Sequence, residues 1–190
     1  MTEVISVWRN ALENMLQSHA RLPYARFAQV ATVRTNGRPA NRTLTFRFFL
    51  SGNRLLFTAD RRTEKITELK FNPWAEVCWY FTASHFQFRL LGKIQIVVDT
   101  EEAELMAARI DTWRERTAAS RQSFTWPHAG QALAEPAAFI HAVPEQAPET
   151  FALLLFSPER VEILDLSQQP HAREVDLLEE GLWRAERINP

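Results

Sequence analysis

Short runs of β-branched and aromatic residues, each closed by a turn signal, follow one another along most of this chain, and that rhythm argues for antiparallel β structure. FAQVATVR (27–34) ends at Thr35-Asn36-Gly37, RTLTFRFFL (42–50) ends at Ser51-Gly52-Asn53, and RLLFTAD (54–60) follows. Asn-Gly and Gly-Asn signal hairpins because those residues tolerate positive φ. AEVCWYF (75–81) and FQFRLLGKIQIVV (86–98) come next, with Gly92 expected at a bulge or bend, and FALLLF, RVEILDL and LWRAERIN close the series. Six or more such strands with few helices predict a closed or nearly closed barrel, since closure removes exposed edges. A length of 190 residues suits one domain, 1–190, with a full core.

Three segments have helical spacing. Residues 3–17 place Val4, Val7, Trp8, Leu12 and Leu16 near one stripe and read as a covering helix. RTEKITELKF stops at Asn72-Pro73, where proline opposes continuation. EEAELMAARIDTWRERT (101–117) carries acidic residues at its start and arginines near its end, as the macrodipole favours. A connection over roughly 126–149, with prolines at 127, 136, 144 and 148, reads as a wrapping loop or short helix.

Composition narrows the chemistry. No apolar run is long enough to span a bilayer and the N-terminus has no signal-peptide core, so a cytoplasmic protein with no membrane association is expected. A net charge of −1 provides no general attraction to nucleic acid. Cys78 is the only cysteine, and the five histidines lack a ligand spacing, so no metal site is expected. The five glycines are too scattered for a Walker or dinucleotide loop, so any bound phosphate must be held by side chains and backbone amides. Of 22 basic residues only Lys65, Lys70 and Lys93 are lysine; the arginines match phosphates and carboxylates bidentately. Most tryptophans read as core, whereas Trp126 and Trp183, near polar segments, are alternatives for stacking on a planar ligand.

The informative cluster is basic. In NRTLTFR, Arg42 and Arg47 bracket a strand with hydroxyls at Thr43 and Thr45; FTADRRTEK then holds Thr58, Arg61, Arg62, Thr63 and Lys65 at a strand-to-helix junction. Hydroxyls, guanidinium groups and a helix start are the parts a phosphate monoester needs. The competing reading is a solvated turn with edge-strand arginines. Residues alone thus lead to a small barrel with a candidate phosphate site.

In order and spacing, from ATV-x-x-x-G to W-x-x-x-R-I-N-P, the chain resembles the pyridoxamine 5'-phosphate oxidase-like flavoproteins, and N-P-W-A-E-V-C-W-Y-F with R-x-S-F-x-W-P resembles one subgroup of them. The resemblance implies a mainly β, Greek-key-like split β-barrel with flanking helices. It also implies a homodimer with FMN at the interface and a small-molecule substrate. Carried over by position, it assigns Arg42, Thr43, Leu44, Thr45 and Arg47 to the flavin strand, and Phe57 and Thr58 to the aromatic-threonine pair. The phosphate clamp falls on Thr63 and Lys65, with Glu64 at its arginine position and Arg62 as the substitute guanidinium. Gln87, Gln122, Ser123 and Arg173 are further flavin contacts, and Leu164 stands where the family has tryptophan.

On the substrate side the resemblance places a phosphate-gripping lysine, tyrosine, arginine and serine on Arg47, Leu105, Arg109 and Trp113, of which only the arginine, Arg109, persists, and of an arginine-x-histidine pair only His171 remains, so pyridoxine phosphate is not implied as the substrate. The expected function is therefore an FMN-dependent oxidoreductase of open substrate. The alternatives are a nicotinamide-dependent flavin reductase, a flavin or haem-type binding protein with His128 or His141 as adventitious haem ligand, a deazaflavin relative, and a structural dimer with no cofactor.

Overall fold

The structure, a computed structural model, describes residues 6–190. Among them are nine strands: β1 (Phe27–Val33), β2 (Pro39–Thr45), β3 (Phe49–Leu50), β4 (Arg54–Asp60), β5 (Trp74–Phe81), β6 (Phe86–Val97), β7 (Phe151–Asp165), β8 (Ala172–Glu179) and β9 (Leu182–Ile188). Antiparallel neighbours run β2-β1-β5-β6-β7-β4-β3, and β8 joins β7 to β9. The ends of the path meet just after β2, where the Arg47 N–H donates to the Leu56 carbonyl at 2.9 Å and the Leu56 N–H to the Phe48 carbonyl at 3.0 Å. The expected antiparallel split barrel is formed, with non-consecutive strands side by side.

Side-chain alternation fills the interior. Val30, Phe57, Val77, Trp79, Phe88, Leu90 and Phe156 are essentially inaccessible and form one cluster. Helix α1 (Val7–Ser18) adds Trp8 and Leu12 to it, and α2 (Glu64–Phe71) adds Ile66 and Leu69. The other face of β4 and β7 is also covered: Leu56, Leu153 and Leu155 pack under Leu105, Ala108 and Trp113 of α3 (Ala103–Arg114). Burial on both faces explains why FALLLF reads as an uninterrupted apolar run.

Gly92 lies at the expected irregularity, where the β6–β7 register shifts between Leu91 and Gly92. A Cβ there would sit 2.2 Å from the Ser157 carbonyl oxygen and 2.7 Å from the Pro158 Cα. Both obstacles are backbone, so Gly92→Ala is expected to destabilise the fold by about 3 kcal/mol. A urea midpoint unchanged from the parent would contradict this strand contact.

Several boundaries differ from expectation. Residues 3–5 of the first helix, with Val4, lie outside the described residues, and Val7 is exposed and off the buried stripe. The helix expected over 101–117 ends at Arg114, and a separate turn of helix, α4 (Ala118–Gln122), begins at Thr117, whose side chain accepts from the Ser120 N–H. FALLLF and RVEILDL are one strand, with Pro158 tolerated at the bulge. β8 carries no strong sequence signal because Arg173, Glu174 and Asp176 interrupt its apolar positions. The 126–149 connection forms only a 3-10 turn at Pro136–Phe139 and is tied down by side chains from elsewhere. Trp183 packs edge-on against Trp8 at 5.4 Å, and Trp126 against Phe139 at 5.8 Å.

Candidate functional site

The basic junction becomes a connected cluster. Register pairs Val30 with Arg42 across β1 and β2, which points Arg42 toward α2. Its guanidinium donates to the Val30 carbonyl at 3.2 Å, to the Thr32 hydroxyl, and to Glu68 at 2.6 Å. Glu68 is only 4% exposed and also accepts from Thr32 at 2.5 Å. Burial alone would raise its pKa, but the hydrogen bonds from Thr32 and Arg42, with the charges of Arg42 and Arg34, hold the carboxyl below its usual range. Next to this pair, the Lys65 ammonium makes one hydrogen bond, to the Thr63 hydroxyl at 2.8 Å. Burial lowers the Lys65 pKa and Arg42 lowers it further, against the fields of Asp60 and Glu68.

Arg62 is more heavily committed than the sequence suggests. It grips Asp60 through Nε and Nη2, at 2.6 to 3.1 Å, and donates to the Trp126 carbonyl at 2.7 Å and the Phe124 carbonyl at 3.3 Å. Its guanidinium therefore straps the start of the long connection to β4. Arg62, Thr63 and Ser123 line a cavity of about 370 Å³ with Trp126 and His128. Glu64 is exposed in the first turn of α2.

The remaining sequence candidates fall in other places. Thr43 is exposed, whereas Leu44 packs against the barrel core and the Phe57 side chain lies wholly inside it. Gln87, Leu164 and Arg173 occupy one cross-strand row over β6, β7 and β8. Arg173 is held by Glu162 at 2.5 Å. The Gln122 amide donates to the His141 carbonyl at 2.6 Å. Arg109 donates to the carbonyls of Phe151 and Pro148, the latter at 3.1 Å, and His171 sits in the β7–β8 turn against the Gln168 carbonyl at 2.8 Å. Leu105 and Trp113 are 1% and 2% exposed and pack in the core beneath α3, Trp113 also lining a cavity of about 510 Å³ with Arg109.

Sequence reasoning missed Glu68, Asp60 and Arg116. Arg116, just beyond α3, donates to the Thr58 hydroxyl and to Ser120 at 2.8 Å, beside Arg47. The Asp60–Arg62 pair was visible as two acid-base neighbours in FTADRR; the other two contacts join distant segments and leave no local signal.

A family model described as pyridoxamine 5'-phosphate oxidase, FMN-binding domain, matches residues 5–98. The chain is 29% identical to pyridoxine/pyridoxamine 5'-phosphate oxidase 2 of Arabidopsis thaliana over 98% of both proteins. It is 27% identical to a pyridoxine/pyridoxamine 5'-phosphate oxidase of Myxococcus xanthus, covering 85% of this chain and 80% of that one. A solved pyridoxamine 5'-phosphate oxidase-related, FMN-binding protein from Nostoc punctiforme superposes with a TM-score of 0.91 at 39% identity, over 98% of this chain and 100% of its own. PhzG from Burkholderia lata, at 17% identity and a TM-score of 0.79 over 98% of both chains, shares the fold.

The donors present suit the phosphate of such a cofactor. Lys65 uses one of its three N–H donors on the protein, Thr63 stands beside it at a helix start, and the cluster lies on a strand-to-helix junction. Likeness at 39% identity across nearly both whole chains, on a barrel of the same shape, leads to one assignment: this chain belongs to the pyridoxamine 5'-phosphate oxidase-related, FMN-binding family.

Proposed function

We propose that the protein is an FMN-dependent oxidoreductase acting on a small molecule, working as a homodimer with the flavin at the subunit interface. The observation that carries this reading is the half-buried Lys65 ammonium, left with one neutral partner at a helix start in a chain of an FMN-binding family. Lys65 and Thr63 hold the phosphate. Arg42, locked by Glu68, keeps the neighbouring wall cationic, and Arg62 fixes the connection that brings Ser123 to the same cavity. Gln87 and Arg173, in one row of the outer sheet face, are the contacts for the flavin's ring edge. When bound, FMN accepts or donates a hydride equivalent at its ring; the protein supplies placement and electrostatics. Arg109 and His171 remain substrate-side candidates.

The names of the relatives support an oxidase of pyridoxine-like phosphates. Burial of Leu105 and Trp113 favours a different substrate, because the grip of a phenol and a hydroxyl is replaced by core packing. The deciding experiment is anaerobic mixing of the purified yellow protein with candidate donors. Bleaching of the flavin band by pyridoxamine 5'-phosphate supports the oxidase, and bleaching by a reduced nicotinamide supports a reductase. A flavin band that neither donor bleaches, with no turnover of other small amines or alcohols, would leave only a binding protein and refute the proposal.

A further inference from the structure

Strand register gathers three guanidinium groups around one carboxylate on the outer sheet face. Glu162 of β7 stands directly opposite Arg89 of β6, two residues after Arg160 on its own strand, and diagonal to Arg173 of β8, which pairs with Leu164. Its carboxylate accepts from Arg173 at 2.5 and 3.1 Å, from Arg160 at 2.9 Å and from Arg89 at 3.4 Å. Glu162 is 7% exposed, whereas the side chains of the three arginines are 30 to 43% exposed. Burial alone would raise the Glu162 pKa, but the hydrogen bonds from Arg160 and Arg173, with the charges of Arg173 and Arg89, hold the carboxyl below its usual range. An ionised, nearly buried anchor thus sits beneath three cations that reach water.

The grip on Arg173 is directional. Nε and Nη2 both donate to Oε1 of Glu162, a side-on contact that leaves Nη1 at the far edge of the planar fork. Nη1 has no hydrogen-bond partner among the described residues. An unrestrained arginine samples many rotamers, and ordering it costs a ligand part of its affinity. Glu162 orders Arg173 beforehand, in the same cross-strand row as Gln87. A cavity of about 360 Å³ opens over the cluster, walled also by Glu76 and Leu91. Arg89 is shared with Glu76 at 2.7 Å, so three guanidinium groups face two carboxylates and the wall keeps one net positive charge.

We propose that Glu162 is a positioning residue for the flavin: through its side-on hold on Arg173 it presents Nη1 to the carbonyl edge of the ring before the cofactor binds. The inference rests on the proposal that Arg173 and Gln87 meet the ring edge, and adds the residue that makes Arg173 fit to do so. The competing role is structural, a carboxylate that only relieves repulsion among three surface arginines.

The test is a double-mutant cycle on FMN binding, with Glu162→Ala, Arg173→Met and the double variant. Fluorescence quenching measures each Kd, and absorption spectra are recorded at saturation. Expected are a loss of about tenfold for Arg173→Met, a loss of about threefold or more for Glu162→Ala, and a change of less than about twofold when Glu162→Ala is added to Arg173→Met. The two single variants are also expected to move the visible band of bound FMN in the same direction, because each takes the same donor from the ring. Relief of repulsion alone changes stability and leaves that band in place. Glu162→Asp keeps the charge and draws it back by one methylene; it is expected to show the same band shift, and it replaces Glu162→Ala in the cycle if the alanine variant does not fold. Parent Kd and band in the Glu162 variant, or an equal loss from it in both Arg173 backgrounds, would overturn the inference and leave the functional reading standing. Parent Kd and band in Arg173→Met would remove Arg173 from the flavin and take the ring-edge assignment with it. A parent that takes up no FMN would refute the functional reading itself.

Discussion

Lys65→Met is expected to weaken FMN binding by roughly tenfold to a hundredfold, the worth of one charge-assisted hydrogen bond, with the fold intact. The methionine keeps most of the stem and deletes only the ammonium. That ammonium is half-buried, repelled by Arg42, and bonded to Thr63 alone, so its removal costs the apoprotein little. Its positive charge is useful only when an anion arrives. Flavin fluorescence quenching measures the Kd, and thermal melts of the apoprotein check the fold. An unchanged Kd would move the phosphate away from this junction. Arg42→Ala is a less selective probe, because it strands the Glu68 carboxylate.

Glu68→Ala is expected to destabilise the protein by about 3 to 5 kcal/mol, since it leaves the Arg42 guanidinium facing a buried hole and removes the acceptor for Thr32. The same pair predicts a pH dependence. The Glu68 pKa is lower in the folded protein than in the unfolded chain, so its contribution is fully present above the unfolded value, near 4.3. It is lost as pH falls through the lowered folded value. Glu68→Gln, which cannot ionise, is expected to lose less stability than the parent between neutral pH and pH about 3. Parallel urea midpoints for parent and variant across that range would show that the carboxylate is not charged and paired as described.

The barrel was legible because its information is local. Asn36-Gly37 and Ser51-Gly52-Asn53 turn where expected, with positive φ at Gly37, Gly52 and Asn53, and the bulge sits at Gly92. β8 was missed because its charged residues pair across the sheet instead of following a clean alternation. At the site, residue type identified the phosphate cluster, yet not which cations were already matched. Arg62 looked available in FTADRR, and Asp60, two residues before it, holds it. Arg42 and Glu68 are 26 residues apart, and Arg116 and Thr58 are 58 apart, so only the closed sheet brings each pair together. Phe57 was placed with the flavin contacts on its motif; strand alternation turns its side chain into the core while Thr58 faces Arg116, a division that residue type alone does not show.

A crystal structure of the protein grown with FMN tests the account most directly. The account predicts a phosphate oxygen within about 3 Å of Lys65 Nζ, beside the Thr63 hydroxyl, with Arg42 still on Glu68. A flavin phosphate bound elsewhere, with Lys65 turned into solvent, would contradict it.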